Sequence, residues 1–453
     1  MTTVEKEAKT PRAFLTFPRE RRQPRIIKWE GSFLQLADGN RYLDLTAGLT
    51  GFAILGGGVE EIIKAITSQV SINPHADYKY FEEPLRDELA RLVLPASAGN
   101  LDRVLFAGGS GSEACEMAIQ LSFQVHREQG STAKSWAIAT RQSYHGSTTG
   151  ALSVGERPNL EFYSPILPQN RLRIPECNFQ KNALDGESPA DYSRRAADML
   201  EAAILSVGPE KVSCFVGETM LGGLVGDVPA TDGYWKRIKD ICTRYNVHLI
   251  LDEVWCGGGV TGKLNCFEWE AIEPDFVFTG KTIAAGYAPI SLVLTSSFFE
   301  DVIKNGSGRL EMSCTFQGHL VGCAAAIATQ QLIRSNNLLN RAQCLGDATR
   351  KTLSEELKNN PFIVDVRGRG IRNSLAYQCP EPHLFGQQIA HIMRDKFKIL
   401  ISGKWHRLSL THSMLINDQV LETALMKLIE TIQDVSSSWT ESYYNKLSRR
   451  NFF

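Results

Sequence analysis

Several signatures that would place a chain at once are missing here. The ten cysteines form no CxxC pair and no His/Cys spacing typical of zinc. Cys115, Cys242 and Cys323 instead sit in apolar segments as small core residues, which points to a reducing compartment. No apolar run reaches the length needed to span a bilayer, and Met1 to Arg12 mixes Glu and Lys without an apolar stretch. Neither a membrane anchor nor a signal peptide is therefore expected, and the expected location is cytoplasmic. Net charge is −1, so no global field favours nucleic acid or an anionic membrane, and attraction for a charged substrate must be local. Internal repeats and low-complexity tracts are also lacking.

What remains is an ordinary soluble composition, 43% apolar and 22% charged, on a chain long enough at 453 residues for a large core in two domains or in one large domain with appendages. Residues 1–25, rich in Arg and Pro, predict an arm or edge-wrapping segment. Ser32 to Asp44 predicts a hairpin turning at Asp38-Gly39-Asn40. Strands are expected at Arg103 to Ala107, Trp136 to Thr140, Val212 to Val216, Val247 to Leu251, Phe276 to Thr279 and Ile290 to Thr295. Several are continuously apolar rather than alternating, as in a mostly parallel sheet buried under helices. Beyond about residue 325 the pattern becomes α+β. Helices are expected at Gly322 to Ser335, Ala342 to Asn359, Leu384 to Lys396 and Asp418 to Val435. Strands are expected near Phe362 to Val366, Ser374 to Gln378 and Leu408 to Leu410. The basic, aromatic tail from Tyr443 to Phe453 reads as a surface cover or dimer contact.

Chemistry concentrates at strand ends. Lys281 closes the run Phe276-Val277-Phe278-Thr279-Gly280, and Asp252-Glu253 closes Val247 to Leu251. Ligands in α/β sheets sit at such edges. A lysine and a carboxylate delivered to one edge suit pyridoxal phosphate: the amine condenses with its aldehyde, and the acid keeps its ring nitrogen protonated. Alone, Asp252 or Lys281 reads equally well as half of a structural salt bridge. Ser110-Gly111-Ser112-Glu113 follows a strand and opens a helix with capping-box spacing, a place where free N–H groups bind phosphate. Tyr144, just after a strand, can stack on a flat ring or lie on the surface. Glu218, at the end of another strand, is a pocket candidate or a solvated acid. Thr315 offers a hydroxyl to phosphate or a helix cap. Arg407 offers a carboxylate grip, or is an exposed strand arginine.

Two rival loop motifs compete with this reading. Gly109, Gly111 and Ala114 satisfy G-x-G-x-x-A, and Arg141 at the end of the next strand suits a 2′-phosphate, so an NADP-linked oxidoreductase stays open. A P-loop does not: Leu264 and Asp275 occupy positions that demand Ser/Thr and Gly.

Taken in series, the motifs resemble the class III, ω-aminotransferase-like family of pyridoxal-phosphate enzymes. Ser32 to Leu45 is similar to its opening hairpin, and Ser110 to Glu116 (SGSEACE) to its phosphate loop. Tyr144 to Gly146 resembles its YHG segment. Asp252 to Gly262 (DEVWCGGGVTG) and Pro274 to Lys281 resemble its DEV…TG and PD…GK blocks. Thr315 to Cys323 and Arg367 to Gly370 look like its later segments. The resemblance implies fold type I: an α/β large domain with a mostly parallel, seven-stranded-type sheet flanked by helices, plus a smaller α+β domain built from both chain ends. The implied division is 1–75 for the arm and hairpin, 76–325 for the large domain and 326–453 for the small one.

It further implies an aminotransferase with Lys281 and Asp252 as catalytic residues. Ser110, Gly111, Ser112, Tyr144, His145, Glu218, Asp252, Val254, Lys281 and Thr315 would bind cofactor, and Glu218 and Arg407 substrate. A homodimer with shared sites is implied, Thr315 reaching the partner's cofactor, with a small-molecule amino donor and a carbonyl acceptor. Decarboxylase, racemase or aminomutase activity on the same scaffold is the alternative. Gly57, Val59, Glu60, Gly109, Trp255, Cys256, Thr411 and His412 depart from the family pattern, mostly around the substrate.

Overall fold

The computed structural model describes residues 24–94 and 99–440. The expected arm at 1–25, except for its last two residues, and the tail at 443–453 lie outside the described residues. The centre is a seven-stranded sheet. In spatial order its strands are Arg103–Phe106, Leu292–Thr295, Phe276–Thr279, His248–Asp252, Val212–Glu218, Trp136–Thr140 and Arg171–Ile174. Every pairing is parallel except the two made by Leu292–Thr295. The strands Val212–Glu218, His248–Asp252, Phe276–Thr279 and Leu292–Thr295 are buried at every residue, so the continuous aliphatic runs do reflect cover on both faces. Helices supply that cover: Gly111–Glu128, for example, packs Ala114, Ala118, Leu121 and Val125 against the sheet. No described helix is long and apolar enough to cross a membrane.

The expected hairpin is present as Phe33–Leu36 and Arg41–Asp44. A strand not foreseen, Ile26–Glu30, pairs with it on one side, and Ile399–Leu400 adds in parallel on the other. A further four-stranded sheet joins Ile363–Arg369, Arg372–Tyr377, Arg407–Thr411 and Ser402–Lys404. One hydrophobic cluster unites Leu43 and Leu45 with residues from Leu353 to Trp439, so the two chain ends share a core. The helices Leu320–Ser335, Leu338–Leu357, Pro382–Phe397 and Asp418–Ser438 match the expected ones within a few residues.

This topology sets the chemistry. Asp252 pairs in register with Glu218 on one neighbouring strand and with Phe278 on the other. Three parallel strands therefore end side by side, delivering Glu218, Asp252 and, two residues past Thr279, Lys281 to one edge.

Candidate active site

A cavity of about 540 Å³ opens at that edge, within the usual range for small-molecule sites. Its lining includes Ser110, Gly111, Ser112, Tyr144, His145, Glu218, Asp252, Val254, Lys281 and Arg407. The sequence-derived candidates thus converge, with Thr315 as the exception. Thr315 is exposed and outside this cavity, and its carbonyl lies 2.9 Å from His75 Nε2.

The capping box forms as the spacing predicts. Ser110 Oγ accepts from Glu113 N, and the Glu113 carboxylate accepts from Ser110 N at 2.9 Å. That leaves the first helical N–H groups, Gly111 and Ser112, facing an anion-favouring helix start of eighteen residues. Gly111 is required by close approach: a Cβ there would meet Val254 Cγ2 at 2.7 Å. Ser112 Oγ accepts from Ser147 N at 3.0 Å, which ties the Tyr144-His145-Gly146 loop to the helix start. Tyr144 remains 42% exposed at the cavity edge.

Asp252 is nearly fully buried. Its Oδ1 accepts from Val254 N at 2.9 Å and its Oδ2 lies 2.7 Å from His145 Nδ1. A buried carboxylate needs such donors, and His145 fixes its direction while leaving lone pairs for a ligand. Glu218 is buried as well, contrary to the solvated alternative. Burial, and secondly the nearby Asp252, push its carboxyl well above the usual range, with the Gly222 N–H and Lys281 acting against them.

Lys281 takes a left-handed backbone conformation, φ 45°, uncommon for a side-chain-bearing residue and frequent at functional sites. Burial, followed by the Arg372 charge, brings its ammonium down to about 8, against the pull of Asp252 and Glu218. Its Nζ lies 5.1 Å from the centroid of the Trp255 ring. The indole is itself pinned, because Trp255 Nε1 donates to Asp227 Oδ1 at 2.7 Å.

Arg407 is buried rather than an exposed strand arginine. Its guanidinium grips the cavity wall, donating to the carbonyls of Gly223 and Leu224 and to Ser409 Oγ. Arg367 holds the same loop through the carbonyls of Val225 and Gly226. With five N–H donors, Arg407 retains one on each terminal nitrogen. Arg141 is exposed and absent from the cavity lining, so it does not serve this site as the 2′-phosphate partner the rival motif needs. Sequence reasoning overlooked Arg372 and Asp227. A charged residue beside the small, buried Ser374-Leu375 strand and an acid straight after Gly226 were the available signals.

A reactive amine, a buried acid beside it, an aromatic edge and a helix N-terminus bordered by Gly111 together fit pyridoxal phosphate. Residues 17–432 match the family described as Aminotransferase class-III. An uncharacterized aminotransferase of Schizosaccharomyces pombe is 34% identical over 371 residues, 82% of this chain and 80% of the relative. A taurine–pyruvate aminotransferase of Rhodobacter capsulatus is 33% identical, covering 78% and 77%. Among solved structures, a transaminase with L-Ala superposes at TM-score 0.86 and 25% identity, covering 92% of this chain and all of that one. An ω-transaminase of Pseudomonas jessenii in complex with PMP shares the fold at TM-score 0.86 and 24% identity, covering 92% and 93%. The chain belongs to the class III aminotransferases, pyridoxal-phosphate-dependent transaminases of fold type I.

Proposed function

We propose that this transaminase works by a ping-pong exchange between an anionic amino donor and a carbonyl acceptor, with Lys281 and Asp252 as its catalytic residues. The carrying observation is the register that ends the Asp252 and Lys281 strands side by side over one cavity. Bound pyridoxal phosphate supplies an aldehyde that condenses with amines and a ring that accepts electron density from the carbon losing its proton.

The chain's residues do the rest. Asp252, held by His145 and Val254 N, presents a negative charge that keeps a protonated heterocyclic nitrogen in place. Gly111 and Ser112 N–H, with Ser110 capping the helix, would hold the phosphate dianion, and Tyr144 would cover the ring. Lys281 Nζ, partly neutral near physiological pH, would take the proton from the substrate carbon and hold it for return. Burial and the neighbouring Asp252 raise the proton affinity of Glu218, which disfavours a second anion beside the amine.

Arg407 and Lys404 set a positive lip on the cavity, which supports a carboxylate or similar anionic group on the donor. The named activity of the Rhodobacter relative, toward taurine, fits an anionic donor. Thr315, exposed and outside its own cavity, is assigned to the partner subunit's phosphate in a homodimer. The cluster that joins Leu43 and Leu45 with residues from Leu353 to Trp439 supports a small domain built from both chain ends. The experiment is a panel of anionic and neutral amines mixed with holoenzyme: donors of this class convert the cofactor to its aminated form. Gas release without that conversion would favour a decarboxylase.

A further inference from the structure

One buried cation beside the site has no part in the mechanism above. Arg372, at the start of the strand Arg372–Tyr377, is fully buried. Its Nε and one terminal nitrogen donate to the Trp255 carbonyl at 3.1 and 2.8 Å. That terminal nitrogen also donates to the Gly51 carbonyl at 2.6 Å, and the other to Thr411 Oγ1 at 3.2 Å. Every one of these acceptors is uncharged. Asp227, the acid that acts on it, is engaged instead by Trp255 Nε1 and Ser374 Oγ. A guanidinium buried this way is costly to keep.

Its position relates it to the reactive amine. The Arg372 guanidinium carbon lies 3.9 Å from the centroid of the same Trp255 ring over which Lys281 Nζ stands at 5.1 Å. The two cations are therefore no more than about 9 Å apart by those distances. Gly51 makes room for the arrangement: a Cβ there would lie 2.1 Å from Arg372 NH1 and 2.8 Å from the indole.

We propose that Arg372 is a positioning residue for Lys281: it fixes the Trp255 indole as the surface on which the amine rests and sets a second buried cation within about 9 Å of it. The proposal rests on the reading of Lys281 as the reactive amine. Charged groups act on Lys281 from several elements: Asp252 and Glu218 on neighbouring strands favour its cationic form, and Arg372 opposes them. Tyr144, His145, Asp227, Lys404 and Arg407 are the other ionisable groups lining the cavity. Burial and Arg372 together prevail, leaving the ammonium at about 8. At that value roughly a tenth of the amine is neutral at pH 7, against well under a thousandth for an ordinary lysine.

The test compares R372Q, which loses the charge but keeps an N–H donor, with R372K, which keeps the charge but loses the planar fork. Lys281 is titrated in the full chain stripped of cofactor, by trace acetic anhydride labelling across pH and mass spectrometry of its peptide. The holoenzyme's absorbance is followed over the same pH range. With an interaction across about 9 Å at an intermediate dielectric, the R372Q midpoint should rise by about one pH unit. R372K should stay at the wild-type midpoint. An unmoved R372Q, or an R372K that moves as far as R372Q, overturns the proposal. Should R372Q not fold, R372M, of similar volume, carries the same expectation. Borohydride trapping of cofactor on the wild type is read separately. Trapping on another lysine sinks the assignment of Lys281. Trapping on Lys281 with an unmoved midpoint sinks only the role of Arg372.

Discussion

Replacing Lys281 by Met should stabilise the cofactor-free protein at neutral pH, because the native state holds this ammonium where water does not reach it well. Its proton affinity falls from the ordinary 10.5 to about 8 on folding. The unfolded chain therefore binds more protons between these values, and wild-type stability rises with pH across that window. At pH 7, below both values, the charged amine weakens the native state by about 3 kcal/mol relative to a neutral one; by pH 9.5 the penalty shrinks to about 1 kcal/mol. Lys281→Met removes the titration while keeping an unbranched side chain. Its advantage over wild type should fall by about 2 kcal/mol between pH 7 and pH 9.5. Urea unfolding of both proteins at the two pH values, compared as a difference, is the assay. A Met variant whose advantage stays constant with pH would refute the idea that burial and Arg372 hold this amine partly neutral.

Three further outcomes follow from named contacts. Asp252→Asn keeps the shape but removes the charge held by His145; turnover should drop by two orders of magnitude or more with little change in folding, by analogy with the cost of losing a preorganised charge, as steady-state kinetics and far-UV dichroism would show. Arg407→Ala should raise KM for anionic donors far more than for neutral amines, about tenfold or beyond for a lost bidentate contact; equal effects on both would remove it from substrate recognition. His126, fully buried and stacked on His248 at 4.0 Å, is lowered from 6.5 to about 4, chiefly by burial. Its folded affinity is depressed, so stability falls as pH drops from 6.5 toward 4, and His126→Gln should flatten that decline by about 3 kcal/mol in urea titrations.

Much of this site could be read from the chain because the fold places reactive groups at the ends of apolar runs. Val247 to Leu251 and Phe276 to Thr279 carry no alternation, so each had to be an interior strand, and Asp252 and Lys281 had to emerge at its end. Ser110 and Glu113 announced the helix start through a purely local pattern. Other parts carried no such signal. Ile26–Glu30 is exposed along almost its whole length and Ile399–Leu400 is two residues long; neither has a periodicity to detect. Arg407 looked like a carboxylate grip, yet three of its hydrogen bonds go to the wall of residues 223–224 and to Ser409, an arrangement fixed by tertiary approach alone. Arg372, Trp255, Asp227 and Gly51 lie on four segments far apart in sequence, and their significance arises only where these meet.

The most direct measurement reduces the purified holoenzyme with borohydride and maps the pyridoxyl group by peptide mass spectrometry. The assignment of Lys281 as the reactive amine requires a single modified lysine, Lys281, and loss of the label in Lys281→Ala. A label on a different lysine, or full transaminase activity in Lys281→Ala, would contradict it.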